Sequence, residues 1–423
     1  MFKTCLQTVV MLMVLATAGT AFAEGFALYE YSARGLARGG TVASPKADPS
    51  TVAYNPSLLT GLPGQQAMAG VTFVMPKGKI DTYDSSWNKT GSTGMKDFIW
   101  PLPHAYYTHQ ISEKLFFGIG GFTRFGLGFE YDDDWPGRHH STEISLISAS
   151  LNPNIAWAAT DQLSLAVGVE VLYGRLNLTK RIDMSAFGLA GDMESKFKDI
   201  DGFGVGATLS GHYKFNDQWS VGLLYRSQMT LHAEGDAKFK DKGVGMDPSH
   251  PAFGGRFDDC KVKASITVPD SVTGGVAWSP TEDLTLEATA TWTRWSTFKS
   301  LDFEFSSSMP DNKNKKDWNN TWRLGLGAEY QALDWLALRV GFVWDESPMT
   351  EEYEDYLVPT SGRRIYTVGA GFQLNESWTL DLVYAYIDAS GRSYQKNNYT
   401  HTENSTAKPG DTHTFGFSVG YKF

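Results

Sequence analysis

The chain has 423 residues with 47 acidic side chains against 37 Lys and Arg, and its net charge of −10 argues against nucleic acid as a partner. Its 13 Trp, 19 Tyr, 25 Phe and 43 Gly suit strands and turns, while two Cys are too few for a disulfide framework. Beyond the N-terminal leader no run of 18 or more apolar residues occurs, so no transmembrane helix is expected.

The leader occupies residues 1–23. Lys3 supplies its positive start, an apolar run extends from Val9 to Leu15, and Ala21-Phe22-Ala23 fits a small-x-small cleavage site. The run is too short to span a bilayer as a helix. Cys5 has no lipobox before it, so no lipid anchor is expected, and cleavage would leave Cys260 alone.

Residues 24–64 follow no regular period. They hold six glycines and four prolines, yet Phe26, Leu28, Tyr29, Tyr31, Leu36, Tyr54, Leu58 and Leu59 are more apolar than a solvated tail requires. Asn55 and Pro56 are expected to fix a turn.

From residue 65 onward the chain repeats one design, in which stretches alternate apolar with small or polar residues. Leu163, Leu165, Val167, Val169, Val171 and Tyr173 share one face, as do Trp378, Leu380, Leu382, Tyr384 and Tyr386, and Phe415, Phe417, Val419, Tyr421 and Phe423. Period two means strands with one apolar face. Short connections near 110–114, 160–162, 216–218, 279–283, 333–334 and 375–377 interleave with long ones near 76–101, 130–142, 179–200, 234–259, 298–317, 345–362 and 388–412. Six turns and seven loops join 14 strands, the least regular being those near 103–109 and 260–278.

An even strand count with both ends on the short-turn side predicts an all-β, 14-stranded antiparallel transmembrane barrel of a Gram-negative outer membrane. Arg124, Glu170, Glu287, Arg323, Glu329, Arg339 and Asp381 oppose the apolar faces and belong in its lumen. Trp219, Trp278, Trp292, Trp318, Trp335, Trp344 and Trp378 sit at strand ends, as interfacial girdles require. The terminal Tyr421-Lys422-Phe423 is similar to the aromatic-ended signal read by the barrel-assembly machinery. A barrel of this width needs water or a plug inside. Residues 24–64 are the expected plug, or hatch, and residues 65–423 the barrel.

The third strand, about 115–129, is rich in glycine. Leu115, Phe117, Ile119, Phe125, Leu127 and Phe129 take one register, with Gly118, Gly120, Gly126, Gly128 and Arg124 in the other. Glycine in a strand marks a bulge or close backbone approach, and a kink is expected around Gly120, Gly121 and Gly126. In the loop at 183–198, Met184, Phe187 and Phe197 fall at helical spacing with Lys180 and Arg181 nearby, which predicts a short amphipathic helix that either captures an acyl chain or caps the barrel. Glu170, Glu287, Arg323, Glu329 and Arg339 are expected to pair with one another and with Arg34 and Arg38.

Several segments resemble the FadL/TodX family. These are Gly25-Phe26-Ala27-Leu28-Tyr29-Glu30 with Ser32-Ala33-Arg34-Gly35-Leu36, the stretch Asp48-Pro49-Ser50-Thr51-Val52-Ala53-Tyr54-Asn55-Pro56-Ser57, Trp135-Pro136-Gly137-Arg138, Asn152-Pro153-Asn154-Ile155-Ala156-Trp157, and Trp322-Arg323-Leu324-Gly325-Leu326-Gly327 with Trp344-Asp345-Glu346-Ser347-Pro348. Ser57 departs from the Asn-Pro-Ala pattern of the family's hatch. The resemblance implies a monomeric outer-membrane transporter of hydrophobic compounds, either long-chain fatty acids or monoaromatic hydrocarbons. Ligand would be caught between extracellular loops, passed to a pocket against the hatch, and released sideways through the third-strand kink. On that reading Phe26, Met184, Phe187, Lys180, Arg181 and Arg124 contact ligand. Gly118, Gly120, Gly121, Phe125 and Gly126 form the lateral opening, and Gly25, Asn55 and Pro56 shape the hatch. The expected surroundings are outer-membrane lipid and lipopolysaccharide. The rival readings are a non-specific porin, an adhesin, or an outer-membrane lipid hydrolase. No triad spacing, metal cluster or nucleotide motif stands out, so neither enzyme activity, metal nor cofactor is expected.

Overall fold

The computed structural model describes residues 25–40, 42–357, 362–396 and 403–423, so the expected leader lies outside the described residues. Among them, fourteen antiparallel strands close into a barrel. They are β1 (Gln65–Met75), β2 (Trp100–Gln110), β3 (Leu115–Phe122, resuming at Gly126–Glu130), β4 (Glu143–Ala158), β5 (Leu163–Asp183), β6 (Asp192–Lys214) and β7 (Trp219–Arg226, then Met229–Lys242). Next come β8 (Cys260–Val268, then Ser271–Trp278), β9 (Leu284–Thr293, extended by Ser300–Phe305), β10 (Thr321–Leu333, preceded by Asn312–Lys315), β11 (Leu336–Asp345), β12 (Arg363–Gln373), β13 (Trp378–Ala389) and β14 (Thr412–Lys422). Closure is made by β14 pairing with β1, from Gln66↔Lys422 to Met75↔His413. Both strands of irregular alternation, β2 and β8, form and pair on each side.

Alternation sorts the side chains as expected for a lipid-facing wall. On β5, Val167 and Val169 are 56% and 50% exposed while Glu170 and Leu172 are buried. All seven charged residues assigned to the lumen are buried inside. At the short-turn end Trp219 and Trp278 stack with centroids 5.5 Å apart, beside exposed Trp335 and Trp378. Tyr173 and Phe203 pair at 5.3 Å toward the other end. Trp318 is a correction. It is only 2% exposed and packs inside with Phe26, Trp295 and Phe298, because the turn before β10 folds over the lumen.

The loop expected near 179–200 is also corrected. β5 and β6 run on past the membrane and pair to Asp183↔Asp192, leaving only a single 3-10 turn, Met184–Phe187. Alternation continues to the tip, with Met193 and Phe197 buried on the inner face while Lys196 and Lys198 are outside, so strand pairing prevails over the helical spacing. β7 similarly reaches Lys242, into the span expected as loop.

Residues 25–64 fill the lumen. Helix α1 (Ala33–Ala37) is capped by Ser32, whose hydroxyl accepts from the Gly35 amide, and α2 (Thr51–Tyr54) leads into a 3-10 turn, Pro56–Gly61. Asn55 donates to the Val42 carbonyl at 2.6 Å and its side-chain oxygen accepts from Ser57 N, the turn-fixing role expected of Asn55-Pro56. Glycines on the wall let the hatch backbone approach. A Cβ on Gly222 would lie 2.0 Å from the Val42 oxygen, and one on Gly327 would lie 2.2 Å from the Arg38 oxygen.

Charge pairing then fastens the hatch. Glu329 accepts from Arg34 Nε and Nη2 at 2.9 Å each and from Arg339 Nε at 2.6 Å, and Arg38 bonds Glu287 at 2.7 Å. Buried charges are tolerable only when paired this way.

Candidate functional site: a stoppered window in the wall

The third strand breaks at residues 123–125. Below the break β3 pairs with β2 only as far as Ala105↔Gly121 and with β4 as far as Phe122↔Ser150. Above it β3 resumes pairing with β4 at Gly126↔Ile147 but not with β2. The β2 edge and the upper β3 edge therefore part, and a window opens between them. The expected kink lies here.

The break also exchanges faces, which corrects the single register expected along this strand. Phe116, Gly118, Gly120 and Phe122 face inward below it, yet Phe125 and Phe129 are buried inward above it. Thus Phe125, Leu127 and Phe129 do not continue the outward row of Leu115, Phe117 and Ile119. An extra residue at a bulge has this consequence in a period-two structure.

A cavity of about 840 Å³ occupies the window. Its wall includes Trp100 and Pro101 of β2, Gly126 and Phe129 of β3, and Leu146 and Ser150 of β4. Outward Ile147 and inward Ser148 both line it, so it passes through the wall.

The hatch closes this opening. Leu28 N donates to the Arg124 carbonyl at 2.8 Å and Gly126 N to the Phe26 carbonyl at 2.9 Å, so Ala27 bridges Phe125 antiparallel. Residues 26–28 thereby take a place that the β2 edge has vacated. Phe26 is held by four rings, with centroids to Phe125, Trp295, Phe298 and Trp318 at 5.8, 4.8, 5.5 and 5.9 Å. Gly25 has φ +54, and a Cβ there would lie 2.7 Å from Trp295.

Behind the stopper lies a small chamber of about 40 Å³, which shares Ala27 and Phe125 with the window. Arg124, Arg226 and Arg323 line it. Arg124 and Arg226 both bond Glu170, at 3.0 and 2.7 Å. Arg323 is different. It is 4% exposed, lies 4.2 Å over the Tyr29 ring, and has no carboxylate partner among the described residues. Among the described residues its side chain makes a single hydrogen bond, to the Gly39 carbonyl, which is long at 3.4 Å, and its Nε is unsatisfied.

The remaining expected residues divide. Phe26, Phe125 and Met184 belong to one continuous apolar cluster that runs from the stopper to the extracellular end. Phe187 is 39% exposed and packs on Phe253 and Phe257. Lys180 shares the inner face of the sheet with its cross-strand partner Ser195, whereas Arg181 pairs with Glu194 and Asp133 on the outer face. Gly118 and Gly120 seat the hatch, since Cβ atoms there would meet Leu59, Val52 and Tyr106 within 2.9 Å. Gly121 is unobstructed, with the Ser150 oxygen 4.0 Å away, and Gly126 abuts Leu28. Trp100, Arg226, Trp295, Phe298 and Trp318 complete the site without a signal in their own sequence neighbourhood.

Extracellular loops cover the top. His140, Lys316 and Asp355 cluster there, with Tyr356 between Trp135 and Tyr394 at 5.1 and 5.0 Å. Burial pushes the Asp355 carboxyl up, but Lys316 and His140 outweigh it and hold the carboxyl well below the usual range. Burial pushes neighbouring Glu354 up to about 7 against the pull of Arg392.

A closed strand barrel with a lipid-facing apolar wall, a lumen plug and a stoppered side window defines an outer-membrane transporter. The model of the family "Outer membrane protein transport protein (OMPP1/FadL/TodX)" matches residues 14–423, and the chain belongs to this family of outer-membrane transporters of hydrophobic compounds. A putative outer membrane protein of Neisseria meningitidis is 25% identical, covering 92% of this chain and 91% of its own. The long-chain fatty acid transport protein of Escherichia coli K12 is 22% identical, covering 95% of each. The crystal structure of a Pseudomonas aeruginosa FadL homologue superposes with a TM-score of 0.84 at 21% identity, over 95% of this chain and all of that one. The Pseudomonas putida toluene transporter TodX gives 0.74 at 19% identity, over 94% and 99%. At these identities the structural likenesses establish the fold.

Proposed function

We propose that the protein carries long-chain fatty acids across the outer membrane, taking them up at the extracellular apolar cluster and releasing them sideways through the β2–β3 window. The observation that carries this reading is Arg323, a buried guanidinium without a carboxylate partner among the described residues. Three arginines and one glutamate around the chamber leave positive charge that a fatty-acid carboxylate would neutralise. A toluene-like ligand offers that charge nothing. Met184 and Phe187 supply apolar surface at the outer end, and Lys180 is a second inward-facing cation on the way. Apolar surface gains about 25 cal/mol per Å² on burial, so an acyl chain would be drawn from water into the window cavity.

The test is binding of a fluorescent long-chain fatty acid to protein in detergent, with oleate, oleyl alcohol and toluene as competitors. Oleate is expected to compete about tenfold or more better than oleyl alcohol, and Arg323→Ala to erase that difference. Equal competition by the acid and the alcohol would defeat the carboxylate reading. Displacement by toluene alone would move the protein to aromatic cargo.

A further inference from the structure

Above the membrane the outer face of the β6–β7 wall turns basic. Lys196 and Lys198 on β6, and Lys238, Lys240 and Lys242 on β7, all project away from the lumen, because their neighbours Phe197, Ala237 and Phe239 are buried inside. Lys196 stands directly across from Lys238 in the register, a like-charge pair that destabilises a sheet unless something neutralises it. Lys198, Lys238 and Lys240 are exposed and make no ion pair among the described residues. The carboxylates that share this surface have other partners, and Glu194 in addition takes Lys196 at 3.4 Å, which leaves Lys198, Lys238 and Lys240 as the uncompensated cations. Asp133 and Glu194 are bonded by Arg181 and Lys242, Glu130 by Lys96, and Asp236 by Lys261. Glu143 accepts from Thr179, and Asp259 from the Phe239 amide. Between them is a groove of about 410 Å³.

The height of the patch identifies what faces it. Phe203, 63% exposed and paired with Tyr173, is the last outward aromatic on β6 before the lysines. Lys198 lies five residues further along a tilted strand, about 16 Å along its axis at roughly 3.3 Å per residue. Side chains at that level meet the headgroups of the outer leaflet rather than its acyl chains.

We propose that this face binds the phosphate groups of lipopolysaccharide, with Lys198, Lys238 and Lys240 as the primary cations and Lys196 beside them. Anionic lipid headgroups attract basic clusters at the membrane surface. A phosphate between Lys196 and Lys238 also relieves their mutual repulsion. The assignment concerns the outer wall and is independent of which cargo the lumen carries.

The experiment titrates the detergent-purified full-length protein with lipid A carrying both phosphates and with the fully dephosphorylated form. The same titrations are run on the triple variant Lys198→Glu, Lys238→Glu, Lys240→Glu. Wild type is expected to bind the phosphorylated lipid about 100-fold more tightly than the variant does, with affinity falling as salt rises. The dephosphorylated lipid is expected to bind both proteins alike. Retained heat-modifiability on gels and an unchanged circular-dichroism spectrum establish that the variant barrel is folded. Equal affinity of wild type and variant for the phosphorylated lipid would overturn the proposal, as would equal affinity of wild type for both lipids. Competition by inorganic phosphate at concentrations matching the lipid would overturn the assignment to a lipid.

Discussion

If the window is the route out, the bridge between Ala27 and Phe125 must break each time a ligand leaves. Its two backbone hydrogen bonds, at 2.8 and 2.9 Å, stabilise the closed state by about 1 kcal/mol each. Withdrawing the Phe26 ring from its aromatic cage costs about 3 kcal/mol more. A closed state favoured by about 5 kcal/mol leaves the stopper open roughly one time in several thousand, at about 1.4 kcal/mol per tenfold. The two bonds flank the bridging pair, which makes Ala27 and Phe125 a non-hydrogen-bonded pair with Cα atoms about 4.5 Å apart, a spacing disulfides accept. Ala27→Cys with Phe125→Cys, in a Cys260→Ser background, is therefore expected to cross-link under mild oxidation and hold the window shut. The assay is uptake of labelled oleate by cells that lack any other fatty-acid route, with the same variant measured oxidised and reduced. Oxidation should reduce uptake to background and reductant should restore it. Undiminished uptake with the thiols quantitatively cross-linked would refute lateral exit at this place. Phe26→Ala should act oppositely, raising the open fraction about 100-fold and speeding release of pre-bound ligand.

Other expectations follow from the same contacts. Glu329→Gln leaves Arg34 and Arg339 without their shared partner, costs about 3–5 kcal/mol, and should loosen the hatch enough to raise ion conductance in planar bilayers; unchanged conductance would contradict the anchoring role. Gly120→Val places atoms against Tyr106 and Val52 and should destabilise by about 1–3 kcal/mol in thermal unfolding, whereas Gly121→Ala, with nothing closer than 4.0 Å, should be nearly neutral. The Glu354 carboxyl is raised to about 7 by burial, so the folded loop retains a proton that the unfolded segment gives up at lower pH. Its contribution is fully present below the ordinary carboxyl range and is lost as pH rises through about 7. Hydrogen-exchange protection around 354–357, after correction for the base-catalysed intrinsic rate, should accordingly be greater at pH 6.5 than at pH 8, and Glu354→Gln should remove that difference in protection. Burial holds the neighbouring His140 below its usual value.

The strand number, the inward and outward faces and the short-turn girdle were legible in the sequence because each rests on local alternation, which a closed wall in lipid preserves. Leu163 to Tyr173 carry their own orientation, and so does the C-terminal row from Phe415 to Phe423. The hatch was legible as the one stretch lacking that period. What alternation could not supply was the partner of each inward residue. Glu170, Glu287, Glu329, Arg124, Arg323 and Arg339 look equivalent along the chain, yet only the closed barrel brings Arg226 to share Glu170 and leaves Arg323 without a carboxylate among the described residues. Trp318 has the spacing of a girdle residue and becomes part of the cage around Phe26, because the turn before β10 folds inward. The expected helix at 183–198 gave way to strand because β5 and β6 offered each other a ladder to the tip. Above the break in β3 the row of faces reverses, and the hatch occupies the edge that β2 leaves. Periodicity is a property of neighbours in the chain, whereas pairing and closure depend on residues hundreds of positions apart, and in this protein the stoppered window is built almost entirely from the latter.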